Sequence, residues 1–491
     1  MSAKSDDCGS DLLSDYPPLL MLLRRIPFLL LFGMFPLAAA EPDELILSAR
    51  QALVDYRAEI ERLAAENPDD APRIRQVLPP AEPDRIYLPR LPLEFGAAKD
   101  SPVPLELREK YAEEQFQRAT QAAARNRGNL AMQLAIAAIG ANPDHMEIRK
   151  LLGFKLYENC WRTQWEVDRL RKGFVDHPVF GWMPKTHVDR YEADERFFKG
   201  RWVSAAEDAK LRETIANGWE VETEHYQLRT NLSLEEGVQW SRRLEHFYRA
   251  WKLLFFRFPL TDDMLSRMFR GSGPSGAPPQ HRVLLYRSKD EYIVALRRME
   301  QNPQMLELSG GCYLMATKTA YFFPADDTMD EFDKDFIRRT LYHEGTHQLF
   351  QETRLSKSPG QTANYWVAEG IAMFMETFRV EGNHYVIGDA DDVRLEAARQ
   401  RKLEDNFYVP FETLAKMNQQ TFVAFPQIQR LYSQTAGMTH FLMLAEDGRH
   451  RDNVVQLLLL TYSGTDRANS LSTLTGCSFQ QLDEKYDRFL K

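Results

Sequence analysis

Hydrophobic positions recur every three or four residues over much of this chain, and strand-like runs are confined to its middle. The clearest helical stretch is 330–350, where Phe336, Thr340, His343, His347 and Phe350 fall on one stripe. Acidic Asp330, Glu331, Asp333 and Asp335 crowd its start, where the helix dipole favours them. Residues 365–378 predict a second helix with Glu369, Met373 and Glu376 on one face.

Upstream, strand and helix patterns alternate. Residues 224–230 read as a strand, and Ser233 with Glu236 forms a capping box that opens a helix to about residue 256. Residues 281–286 read as a second strand, followed by the box Ser288/Glu291 and a helix to about residue 300. A Gly/Pro-rich loop, 271–279, separates the two units. Residues 312–323 predict two short strands joined near Thr317 and Lys318. Downstream, 431–445, 453–462 and 478–490 are amphipathic helical segments.

The N-terminal half is patterned differently. Leu45, Ala49, Leu53, Tyr56, Ile60 and Leu63 predict a helix within 41–67. Nine prolines between Pro68 and Pro104 then exclude a regular helix and predict an extended spacer or a wrap along a surface. Helical stripes return over 105–157, the last in Ile148, Leu151, Leu152 and Leu156. The Asn142-Pro143-Asp144 turn between them resembles a tetratricopeptide unit, but with fewer than three repeats an ordinary helical hairpin is an equal reading. Trp161, Trp165, Trp182 and Trp202 mark an aromatic segment, read as core packing rather than carbohydrate stacking. The class predicted is α+β: a small mixed β-sheet, then the histidine-bearing helix and a mostly helical C-terminal part, all preceded by a helical region.

The chemistry lies in His343-Glu344-Gly345-Thr346-His347. Positions i and i+4 share a helix face, so both imidazoles can address one metal ion. Glu344 lies slightly round the helix, placed to reach a water without ligating. Glu369 can add a third ligand from the second helix. Three protein ligands plus water is the open geometry of a catalytic zinc, whereas a structural site closes all four positions.

With a Glu-Gly on a following helix, this motif resembles the gluzincin branch of zinc metallopeptidases. More narrowly, residues 366–372 and 432–437 resemble a peptidase-like domain of bacterial exported proteins, and the likeness spans roughly 222–490. The resemblance implies His343, His347 and Glu369 as zinc ligands, Glu344 as general base and Tyr432 as an oxyanion-stabilising phenol. His440, two turns after Tyr432, is read as structural. Three departures qualify the likeness. The 21 residues between His347 and Glu369 exceed the spacing of the best-known gluzincin aminopeptidases. The segment Ser309-Gly310-Gly311-Cys312-Tyr313 lacks their amine-anchoring glutamate, which argues against aminopeptidase activity. Met373 stands where thermolysin-like members carry an orienting aspartate, so the group that orients the ligands is not identified.

Arg24 and Arg25, an apolar run over 26–37 and Ala38-Ala39-Ala40 make the pattern of a cleavable secretion signal, with Met21 an alternative start. The run is short for a membrane span; an uncleaved anchor is the competing reading. Export would leave Cys160, Cys312 and Cys477, too few for a disulfide framework. The net charge of −9, without a basic stripe, gives nucleic-acid binding no support. The expected organisation is a signal peptide (1–40), a helix plus proline-rich linker (41–104), a helical and Trp-rich region (105–220) and a gluzincin-like domain (221–491).

The expected function is an exported zinc metallopeptidase, periplasmic or extracellular, acting on a peptide or protein substrate. Contact with membrane would come only through an uncleaved signal segment, and the N-terminal helical region offers a place for a protein partner. Two other readings stay open: a catalytically degenerate peptidase fold used for binding or as a scaffold, and a zinc amidase acting on cell-wall material.

Overall fold

The computed structural model describes residues 44–78, 84–258, 260–271, 279–297, 299, 303–353 and 358–491. The expected signal segment (1–40) and most of the Gly/Pro-rich loop lie outside the described residues. Among the described residues, no helix is long and apolar enough to cross a membrane.

The fold is α+β, as the patterning predicts. Its central sheet has five strands in the order Gly311–Leu314, Thr319–Phe322, His281–Leu285, Tyr226–Thr230 and Trp219–Glu222. The middle three run parallel and the two outer strands antiparallel to their neighbours. Each parallel crossover carries a helix, since parallel strands cannot be joined by a tight turn: Leu234–Leu254 after Tyr226–Thr230, and Lys289–Leu296 after His281–Leu285. Ser233 and Ser288 cap these helices through the amides of Glu236 and Glu291. Neither of these expected boxes closes on the glutamate side; Glu291 is drawn instead to Asn231 and Arg287.

The histidine-bearing helix, Glu331–Thr353, follows the outer strand pair and packs against it. Gln348 donates to the Arg282 carbonyl at 3.0 Å, tying helix to sheet. The glutamate-bearing helix, Trp366–Met375, is buried along its whole length. It crosses the helix Ile428–Gly448 closely: a Cβ on Gly370 would lie 2.1 Å from Thr439 Oγ1. One apolar core joins these helices to Leu234–Leu254 and to the C-terminal helices.

The proline-rich tract contributes structure of its own. A five-residue helix, Ala71–Arg75, starts with Pro72 in its first turn, where a missing N–H costs nothing. Ile86–Pro89 then forms an edge strand on His384–Ile387, beyond which lies Arg379–Glu381. This stretch wraps along the half that carries the histidine-bearing helix by pairing with it. Helices Leu105–Ala124 and Gly128–Ala141 form a hairpin that turns at 125–127, ahead of the Asn142-Pro143-Asp144 turn, and share a second core with Glu44–Glu66.

The aromatic segment departs from its expectation. It is three tandem β-hairpin–helix units: Phe154–Tyr157 and Cys160–Thr163 with Gln164–Arg171, Phe174–His177 and Gly181–Pro184 with Val188–Glu192, and Glu195–Phe198 and Arg201–Ser204 with Ala205–Leu211. Leu156, read as helical, sits in the first of these strands. Trp161, Trp182 and Trp202 each occupy the second position of the returning strand. The first and third hairpins turn through two residues of positive φ, Glu158-Asn159 and Lys199-Gly200, as a right-twisted two-residue hairpin requires. Thr163 and Ser204 cap the helices that follow.

Candidate metal centre

His343 and His347 sit one turn apart on the same helix face, and Glu369 reaches them from the adjoining helix. His343 Nε2 and His347 Nε2 are 3.3 Å apart, and Glu369 Oε2 lies 3.6 and 3.7 Å from them. Ligands at about 2.0–2.1 Å from a tetrahedral zinc ion stand roughly 3.4 Å apart. Two nitrogens and one carboxylate oxygen at these separations therefore fit a divalent cation with a fourth position open. Both histidines are half-buried and Glu369 is buried.

The remaining atoms of these side chains are held from outside. His343 Nδ1 donates to Glu376 Oε1 at 2.9 Å, which leaves Nε2 directed at the centre. Glu376 also accepts from Arg339 Nε at 3.0 Å and from Arg394 Nε and Nη2 at 3.2 and 3.1 Å. Arg339 in turn pairs with Asp392 at 2.7 Å. Burial opposes charge on Glu376, but His343, Arg394 and Arg339 outweigh it and hold its carboxyl down at about 2. The Tyr365 hydroxyl donates to Glu369 Oε1 at 2.6 Å, leaving Oε2 for the centre.

These orienting groups are what the sequence reading left unnamed. Glu376 follows Glu369 by two turns, which places it on the correct face; Tyr365 precedes Glu369 by one. Helical spacing gave the face but not the partners, because Arg339, Asp392 and Arg394 come from two other elements. Met373 is fully buried and takes no part.

The electrostatics favour positive charge between the three ligands. Burial works against the charged His343 ring, yet Glu369 and Glu376 raise its pKa to about 10. Burial likewise opposes ionisation of Glu369, yet His347 and His343 hold it well below the usual carboxylate range. Glu344 behaves differently. Burial pushes its pKa up, and His343 and His347 offset this only in part. Its Oε2 accepts from the Tyr313 amide of the outer strand at 2.8 Å.

Tyr432 lies half-buried on helix Ile428–Gly448, edge-on to Phe422. Glu369 raises its pKa most, burial next, and then Glu344. His440 is fully buried, with Nδ1 2.9 Å from the Ala436 carbonyl, and does not line the site. Cys160, Cys312 and Cys477 are unbridged.

Residues 337–460 match a family described as "Protein of unknown function (DUF1570)". The match begins inside the histidine-bearing helix and takes in His343, Glu344, His347, Glu369, Glu376 and Tyr432. No curated protein matches the chain.

Proposed function

We propose that this protein is an exported zinc metallopeptidase of the gluzincin type. The observation that carries the reading is the triangle of ligand atoms at 3.3–3.7 Å, with His343 locked from behind by Glu376. His343, His347 and Glu369 would hold the zinc, which supplies Lewis acidity toward a carbonyl and acidifies water. Glu344 takes a proton from the attacking water and passes it to the leaving amine. Tyr432 donates a hydrogen bond to the oxyanion. An intact general base beside intact ligands favours an enzyme over a scaffold. Export rests on the pattern at 24–40, and the substrate class is peptide or protein.

Elemental mass spectrometry of the purified protein tests the metal, with about one zinc per chain expected. Digestion of a generic peptide library tests the reaction and separates it from cleavage of cell-wall amides. Absence of zinc after reconstitution would overturn the hydrolase reading. Zinc without peptide cleavage would overturn the peptidase reading alone.

A further inference from the structure

A second cavity, of about 460 Å³, opens between the N-terminal helices and the catalytic half, and none of the metal-site residues lines it. Its size suits a small organic ligand. Five arginines line it against two carboxylates, Asp100 and Asp452. Asp100 is exposed, and Asp452 is engaged by the Asn129 amide. Among the described residues, no carboxylate lies within ion-pair distance of Arg57, Arg108 or Arg451. A guanidinium withdrawn from water without a counter-charge is costly. Burial lowers the pKa of all three, that of Arg451 to about 10.

Residues of this wall also carry buried polar atoms without partners. Tyr56 is buried, with its ring stacked on Tyr111 at 4.2 Å, and its hydroxyl has no partner. The buried Nε of Arg57, one residue on, has none either, nor has Gln133 Oε1 across the cavity. Native structures rarely leave such atoms unpaired. The rest of the wall is apolar, with Leu53, Ile136, Leu253 and Phe256 prominent.

We infer that this cavity binds an amphiphilic anion: a carboxylate or phosphate head held by Arg57, Tyr56 and Arg108, with an apolar chain laid against the aliphatic wall. Arg108 already donates from Nε and Nη2 to the Val103 and Ala98 carbonyls, so the head supplies the missing negative charge rather than a replacement for lost hydrogen bonds there. The chain covers apolar surface that would otherwise contact water.

Isothermal titration calorimetry of the full chain tests this with decanoate, decyl phosphate, decanol and inorganic phosphate. Expected is one site per chain for at least one decyl anion, with decanol and inorganic phosphate each at least about tenfold weaker. The tighter of the two anions identifies the head. Arg57→Leu should weaken that anion about tenfold or more and leave decanol unchanged. Tyr56→Phe keeps the ring stack and should weaken the anion by roughly threefold to tenfold. Zinc content should be unchanged in both variants, which separates this site from the metal centre. Equal affinity for decanol and the anions, equal affinity for inorganic phosphate, or no binding of either decyl anion would overturn the inference.

Discussion

Around His343, the carboxylate that holds the ring and most of its partners come from distant parts of the chain, whereas in residues 154–211 most contacts stay within one or two neighbouring units. The ring's partner Glu376 lies 33 residues away, and Arg394 lies 18 residues beyond that. In the third hairpin–helix unit, by contrast, Trp202 is covered by Arg190 at 4.0 Å and by Phe197 across the hairpin. The candidate metal centre joins two half-buried histidines to a buried glutamate and is over-determined. The units are half-exposed, with Leu156, Val179 and Phe197 open to solvent, and reach the helix Leu234–Leu254 partly through ion pairs such as Arg242–Asp176 and Arg196–Glu235. A site that must hold ligand atoms to a few tenths of an ångström needs many long-range constraints. A repeat built from local turns does not.

The sharpest break in this comparison is Glu344→Gln. Turnover of a cleavable peptide should fall by about 10²–10⁴-fold while zinc content stays at wild type. Loss of zinc in that variant would contradict a base that does not ligate.

Acid should strike the helical core before the hairpins. His450 is 2 % exposed, and burial, helped by Lys485 and Arg449, pushes its pKa down to about 4. Between pH 6.5 and 4 the unfolded chain therefore binds the proton that the folded chain refuses, and stability falls as pH falls through that window. The loss is at most about 3 kcal/mol. His450→Gln should flatten the melting temperature over this range, and an unchanged pH slope would remove His450 as the cause.

Glu376→Gln removes the charge behind His343 and should lower zinc affinity by about 10–100-fold in competition with a chelator. Wild-type affinity would mean that the ring is fixed by packing alone. Gly370→Ala should cost about 1–3 kcal/mol, because the new methyl meets Thr439 and the Thr435 carbonyl of the crossing helix. Chemical denaturation reads this directly. The smallest effect is expected in the units, where Trp202→Ala should cost about 1 kcal/mol or less and leave peptidase activity within about twofold. A collapse of activity there would tie the units to the active site and dissolve the contrast.

Much of this architecture was legible because it is written in short-range patterns. The stripe through His343 and His347, the serine caps and the strand pair around Lys318 each follow from spacing or turn chemistry within about twenty residues. The hairpin units were equally local and were missed. Trp161, Trp182 and Trp202 recur 21 and 20 residues apart, as 182 − 161 and 202 − 182 show, and Gly153 and Gly173 mark the starts of the first two units with positive φ. Read singly, each tryptophan looked like core. Read as a period, they announce a repeat.

Residue order alone carries the placement of His343, His347 and Glu369 on two helices and the α+β class, because helical spacing brings i and i+4 to one face. The packing of distant elements sets which carboxylate orients His343, how the proline-rich tract joins a sheet almost 300 residues downstream, and where arginines meet around a cavity. Those outcomes depend on how separate elements cross and on which charges are desolvated together, and periodicity carries no record of either.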